Sequence, residues 1–228
     1  RSFKKNNTGT MIAFETHRPK GYGRVLLNNN KVTKVIEEIN ASHDEKLIEF
    51  CNSGIMLVKK SIFYKNIKLI KFNKKKQERY LTDIFEIYFK KNIPFSFVPS
   101  SENEMSGVNN LTDFNKVDGL FQNRLINKFL EQGVLIKRPE TSYFSYNTKI
   151  AKKVVIEPNV VIRNNVSIKS GTTIKSYSDL DGVQINEDCS IGPHARIRPN
   201  SKINKNSKIG NYVEIKNSSI GKSTSISH

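Results

Sequence analysis

Arg198 and Lys216 are the residues whose types and spacing most directly imply chemistry. They stand eighteen residues apart, and each directly follows an isoleucine, Ile197 and Ile215. If the chain repeats every six residues with three strands to a coil, eighteen residues return it to the same face. The two cations then lie one above the other, about 5 Å apart at the backbone. Cations so placed repel unless an anion lies between them. Together they offer an oxyanion a planar fork and a point charge. A coincidental surface pair in a lysine-rich chain is the alternative reading. His228 ends the sequence twelve residues beyond Lys216. An imidazole titrating near pH ~6.5 can remove a proton at neutral pH, but a lone terminal histidine implies nothing by itself. Cys51 and Cys189 are too few for a disulfide framework or a cysteine-based zinc site.

The element that must position the two cations is a repeat. Isoleucine occurs at 150, 156, 162, 168 and 174, followed by Leu180. A second run holds Ile185, Ile191, Ile197, Ile203, Ile209 and Ile215, then Ile220 and Ile226. Every step is six residues except Leu180 to Ile185 and Ile215 to Ile220, which are five. Four residues after most of these aliphatics sits a small or β-branched side chain, among them Val154, Val160, Thr172, Ser178, Cys189, Ala195 and Ser207. A helix of 3.6 residues per turn cannot produce this period. Three short strands per eighteen-residue coil can, with the aliphatic inside and the small residue beside the corner. The steps imply about four stacked coils, a prism on the order of 20 Å tall.

The first 149 residues lack the period. Val32 to Ile36, Gly54 to Val58 and Pro94 to Val98 read as strands, and Tyr80 to Lys90 as a helix. A second helix is expected from Thr112 and Asp113 as N-cap through Phe114, Val117, Phe121, Leu125 and Phe129, with Gly133 closing it. The expected division is an α/β domain over 1–133, a linker over 134–149 with Pro139, and a β-helix over 150–228. No strand–glycine loop–helix unit opens the first domain, and residue 1 falls in what reads as its middle.

The chain has 228 residues and a formal charge of +17. Lysine and asparagine are abundant, as AT-rich codons produce. The basic excess is spread along the sequence, and its one dense run, Lys74-Lys75-Lys76, reads as a solvated loop. With neither a clustered face nor a reading motif, nucleic acid is not an expected partner. No stretch approaches the ~18 apolar residues of a membrane span, so no membrane insertion is expected. Residues 1–10 carry no secretory signal, which fits a cytoplasmic location.

Several segments occur together in one family's order. They are Gly21-Tyr22-Gly23-Arg24, Ile36-Glu37-Glu38, Asn52-Ser53-Gly54, Tyr80-Leu81-Thr82-Asp83 and Gly107-Val108-Asn109-Asn110. In the repeat region Ile191-Gly192-Pro193 leads to Arg198-Pro199, then to the run from Ile209 to Lys216, then to Ser227-His228. The chain resembles the bacterial family of bifunctional N-acetylglucosamine-1-phosphate uridylyltransferase / glucosamine-1-phosphate N-acetyltransferases, as an internal fragment covering roughly the middle half. Arg79 and Leu111 depart from the family's pattern, standing where it usually has an aromatic and often an arginine.

The resemblance implies a Rossmann-like α/β nucleotidyltransferase domain, cut short at its N-terminus. A left-handed parallel β-helix, cut short at its C-terminus, would follow it. It implies acetyl transfer from acetyl-CoA to glucosamine 1-phosphate, then uridylyl transfer from UTP to N-acetylglucosamine 1-phosphate. Arg198 and Lys216 match the sugar-phosphate ligands, and His228 the general base. Gly23, Glu37, Asn52 and Asn109 match contacts to UDP-N-acetylglucosamine, and Asn109 also a ligand of Mg²⁺. Partners are sugar phosphates and two further copies of the chain, joined into a trimer through the β-helix. The expected setting is a bacterial cytoplasm and the supply of peptidoglycan and lipopolysaccharide precursor. The 228 residues alone are expected to turn over neither reaction. The rival readings are a monofunctional nucleotidyltransferase with an oligomerising β-helix, and a non-catalytic scaffold.

Overall fold

A computed structural model describes residues 8–73, 77–108 and 110–228. The expectations for Lys74-Lys75-Lys76 and for Asn109 lie outside the described residues. The chain divides into two compact units, Arg1–Asn109 and Asn110–His228.

The first unit is built on a five-stranded sheet. Its strands are β1 (Gly9–Glu15), β2 (Arg24–Asn28), β3 (Lys31–Ile36), β4 (Phe50–Val58) and β5 (Phe95–Ser100), in the order β3-β2-β4-β1-β5. Only the β1–β5 pairing is parallel; the other three are antiparallel. The hairpin between β2 and β3 turns on Asn29 and Asn30, both with positive φ (47° and 58°). Such a two-residue turn matches the strand twist and fixes an antiparallel neighbour. Three helices accompany the sheet: α1 (His43–Lys46), α2 (Lys60–Asn66) and α3 (Asp83–Lys90). Ile84, Phe85 and Tyr88 of α3 pack with Met11, Val25, Val35 and Phe95 in one core. Opposite β1, β4 bulges: Met11 pairs with Met56 but Ala13 with Asn52, and Gly54 in the bulge has φ +80°. A bulge of this kind re-aims the residues beside it.

The second unit opens with α4 (Leu111–Glu131). The side chain of Asn110, not of Thr112 or Asp113, caps it by accepting from the Asp113 amide at 2.9 Å. Gly133 (φ +82°) follows its end. The segment 134–149, expected as a linker, carries strands at Leu135–Ile136, Tyr143–Phe144 and Lys149–Ile150. These pair in parallel with the next coil. The step from Ile136 to Phe144 is eight residues and the inward residue at 144 is aromatic, so a search for aliphatics at six-residue steps begins only at Ile150. Gln122 on α4 bonds both backbone groups of Phe144, each at 3.0 Å, while Phe129 packs against the Phe144 ring. The helix thus closes the otherwise unpaired lower edge of the strand at Tyr143–Phe144.

Above it the strands stack in three parallel walls of six, five and five. Every repeat aliphatic from Ile150 to Ile215 is buried, and Ile220 and Ile226 are partly so. Corners turn through a residue with positive φ: Asn159, Asn165, Asn200, Asn206 and Asn217 among them. Asparagine tolerates this region better than most residues. One five-residue step has Gly182 at its corner (φ +52°), where a Cβ would lie 2.9 Å from the Pro199 Cα.

Candidate functional sites

In the β-helix, the strand Arg196–Ile197 pairs with Glu214–Ile215 on the second wall, one coil apart. The Arg198 amide donates to the Ile215 carbonyl at 2.8 Å. Arg198 and Lys216 therefore occupy equivalent places on successive coils, as their eighteen-residue spacing requires. Their environments differ. The Arg198 guanidinium is half-buried and bonds the Glu214 carboxylate at 3.1 Å, which the Arg196 guanidinium also approaches to 3.7 Å. Lys216 is exposed and pairs with no carboxylate among the described residues. An anion is thus already present beside Arg198, and the repulsion argued from sequence is relieved in part by Glu214. Glu214 was the residue that spacing alone missed. Its signal was the i+16 offset from Arg198, the offset at which Arg163 grips Asp179 through two bonds of 2.8 and 2.9 Å.

His228 follows the strand Ser225–Ile226 on the first wall, not the second. Register within one chain therefore does not set it beside Arg198 and Lys216. His194 and His17, given no role from sequence, have structural partners. The His194 ring stacks between Tyr177 and Tyr212 at 4.9 and 5.0 Å. His17 bonds Glu49 at 2.9 Å, and that hydrogen bond holds its pKa above the ordinary value.

In the first unit, three of the four residues expected at a sugar site converge. The Asn52 amide donates to the Gly23 carbonyl at 2.8 Å. A Cβ on Gly23 would crowd Val35 at 3.2 Å and lie 3.5 Å from a Glu37 oxygen. A side chain there would need Val35 to give way by a few tenths of an ångström. Glu37 and Asn52 line a cavity of about 300 Å³ with Gly54, Arg79, Tyr80 and Thr82 at its rim and Met56 and Phe85 as its apolar part. The Asn52 side-chain oxygen accepts from the Gly54 amide at 3.0 Å. The Thr82 hydroxyl, which stands at the N-cap of α3 but caps nothing, donates instead to Glu37 at 2.8 Å. A capping residue diverted in this way fixes one carboxylate oxygen and leaves the other for a ligand. Beside it, a hydrogen bond to Glu78 pushes the Tyr80 phenol up to about 12, so it remains protonated. Arg24, in the same motif as Gly23, is fully buried and bonds Glu38 at 2.7 Å, which draws the Glu38 carboxyl below its usual range. It ties the start of β2 to Glu38, just past the end of β3.

Residues 182–217 match the model of the bacterial transferase hexapeptide family (six repeats). The bifunctional protein GlmU of Bartonella quintana is 38% identical over 149 residues, 65% of this chain and 33% of the relative. GlmU of Bartonella bacilliformis is 35% identical over 160 residues, 70% of this chain and 36% of the relative. Over these stretches the chain is similar to GlmU proteins. It spans about a third of the length of the curated GlmU proteins it matches. Among solved structures, the N-acyltransferase AntD from Bacillus cereus aligns with 40% of this chain and 70% of its own, at 13% identity and a TM-score of 0.27. That likeness is too slight to bear on fold or function. The GlmU relationship and the hexapeptide match converge on one kind of scaffold, the parallel β-helix described above. No helix among the described residues is long and apolar enough to cross a membrane.

Proposed function

We propose that this GlmU homologue serves the two-step synthesis of UDP-N-acetylglucosamine in a bacterial cytoplasm. In the first step the phosphate of glucosamine 1-phosphate docks at Arg198 and Lys216. The Lys216 ammonium meets it as a point charge, and the Arg198 guanidinium shares its donors between the phosphate and Glu214. His228 takes a proton from the sugar's ammonium group. The freed amine attacks the acetyl-CoA carbonyl carbon, the C–S bond breaks, and the thiol leaves with a proton. His228 and the two cations stand on different walls of one chain. A trimer, in which the base of one copy faces the cations of the next, is the arrangement this placement favours.

In the second step a phosphate oxygen of N-acetylglucosamine 1-phosphate attacks the α-phosphorus of UTP and pyrophosphate departs. Glu37 and Asn52 hold the sugar, and Gly23 keeps the backbone open to it. Magnesium neutralises charge on such phosphates. Among the described residues no three His, Cys, Asp or Glu side chains gather where a metal could bind.

The observation that carries the proposal is the one-coil register of Arg198 and Lys216 beside a single carboxylate. Titrating glucosamine 1-phosphate into the protein by calorimetry tests it. Arg198→Ala and Lys216→Ala are each expected to weaken binding about tenfold, while Arg163→Ala, two coils below on the same wall, leaves it unchanged. Equal loss in all three, or in none, contradicts the reading.

A further inference from the structure

The cavity in the first unit holds a charge that sugar recognition does not require. Arg79 lines it together with Glu37 and Asn52. Its guanidinium donates to the Ile70 carbonyl at 2.7 Å. That bond fixes one nitrogen on the protein side, and Arg79 makes no ion pair among the described residues. Contrast Arg24, Arg163 and Arg198, each of which meets a carboxylate. A guanidinium anchored at one nitrogen presents its remaining N–H groups as a planar fork, the geometry that matches phosphate or carboxylate oxygens. The cavity's one carboxylate, Glu37, is held at an oxygen by Thr82 and does not pair with it.

We propose that Arg79 is the oxyanion-recognising residue of this cavity, which takes a sugar bearing a phosphate. The phosphate lies on Arg79, and the sugar's hydroxyl and amide groups face Glu37 and Asn52. This rests on the sugar-site reading of Glu37 and Asn52 above, and adds to it a residue that selects the charged sugar over the neutral one.

The experiment titrates the whole 228-residue chain with N-acetylglucosamine 1-phosphate, neutral N-acetylglucosamine and glucuronate, observing amide shifts at Glu37, Asn52 and Arg79. The wild-type protein is expected to prefer the phosphate sugar over the neutral sugar about tenfold. Arg79→Gln abolishes that preference and leaves neutral-sugar affinity in place, and Arg79→Lys retains part of it. If both sugars bind but Arg79→Gln keeps the wild-type ratio, the assignment of Arg79 falls and the sugar site stands. If neither sugar binds, both fall together. A gain for glucuronate without one for the phosphate sugar overturns the choice of phosphate. A thermal melt of each variant confirms that Glu37 and Asn52 still stand on a folded sheet.

Discussion

The two units solve the problem of placing a polar site in opposite ways. In the second, a single local rule recurs: an aliphatic inward, a small residue beside the corner, a left-handed corner residue. Position along the chain then dictates position in space, and two residues eighteen apart become neighbours. In the first unit no such rule exists. Glu37, Asn52 and the segment Arg79–Thr82 come from three separate places in the sequence and meet only because the sheet order, a bulge in β4 and the entry to α3 agree. A repeat makes a site predictable from spacing, whereas a mixed sheet makes it depend on many long-range pairings at once.

Substitutions sharpen that contrast. The largest effect is expected in the repeat's interior. Ile162→Ala and Ile197→Ala, at equivalent places on the second wall and both fully buried, are each expected to cost about 3 kcal/mol in urea unfolding of the second unit. Closely similar values are the signature of a repeat; values differing by more than about 2 kcal/mol would show that the coils are not interchangeable.

Next in size is the buried ion pair of the first unit. Glu38→Gln leaves the buried Arg24 guanidinium without its partly exposed counter-charge and is expected to cost about 2 kcal/mol, read by hydrogen exchange at β2 and β3. The second unit should be unaffected. The same pair has a pH signature. Its hydrogen bond to Arg24 holds the Glu38 carboxyl below its ordinary value of 4.5 in the folded state. Its stabilising contribution is therefore present above about pH 4.5 and is lost as pH falls through the lowered folded value. A melting series in acid should show that slope in the wild-type protein and a shallower one in Glu38→Gln.

Smaller effects test the corners. Asn206→Val, at φ +62°, is expected to cost about 1–2 kcal/mol, and Asn206→Gly little or nothing. Equal losses in both would place the asparagine's value in its side-chain bonds and not in its backbone.

The same contrast explains what was legible beforehand. Six-residue steps from Ile150 to Ile226 revealed the β-helix, its inward residues and the stacking of Arg198 on Lys216. They did not reveal the first two strands of the lowest coil, because the step from Ile136 to Phe144 is eight residues and Phe144 is aromatic where the repeat has an aliphatic. Nor did they show that five asparagines, attributed to codon composition, occupy left-handed corners. Glu214 lies outside the eighteen-residue spacing, because its bond to Arg198 spans sixteen. In the first unit β3, the second half of β4, most of β5 and all of α3 were visible as patterned runs. The antiparallel order was not, because pairing partners lie far apart in sequence and only the Asn29-Asn30 turn announces one of them. Gly23, Glu37 and Asn52 were reached through resemblance alone. The part of Thr82 and Arg79 became visible only when the entry to α3 was seen beside Glu37.

The proposed sugar-phosphate site depends above all on the coil-to-coil register that sets Arg198 and Lys216 at equivalent places on successive coils. Amide chemical-shift mapping with glucosamine 1-phosphate reads it directly. Shifts confined to Arg198, Lys216 and their strand partners around Glu214, with Arg163 and Asp179 silent, are the predicted result. Shifts spread evenly over every arginine on the wall, or absent from Lys216, would contradict it.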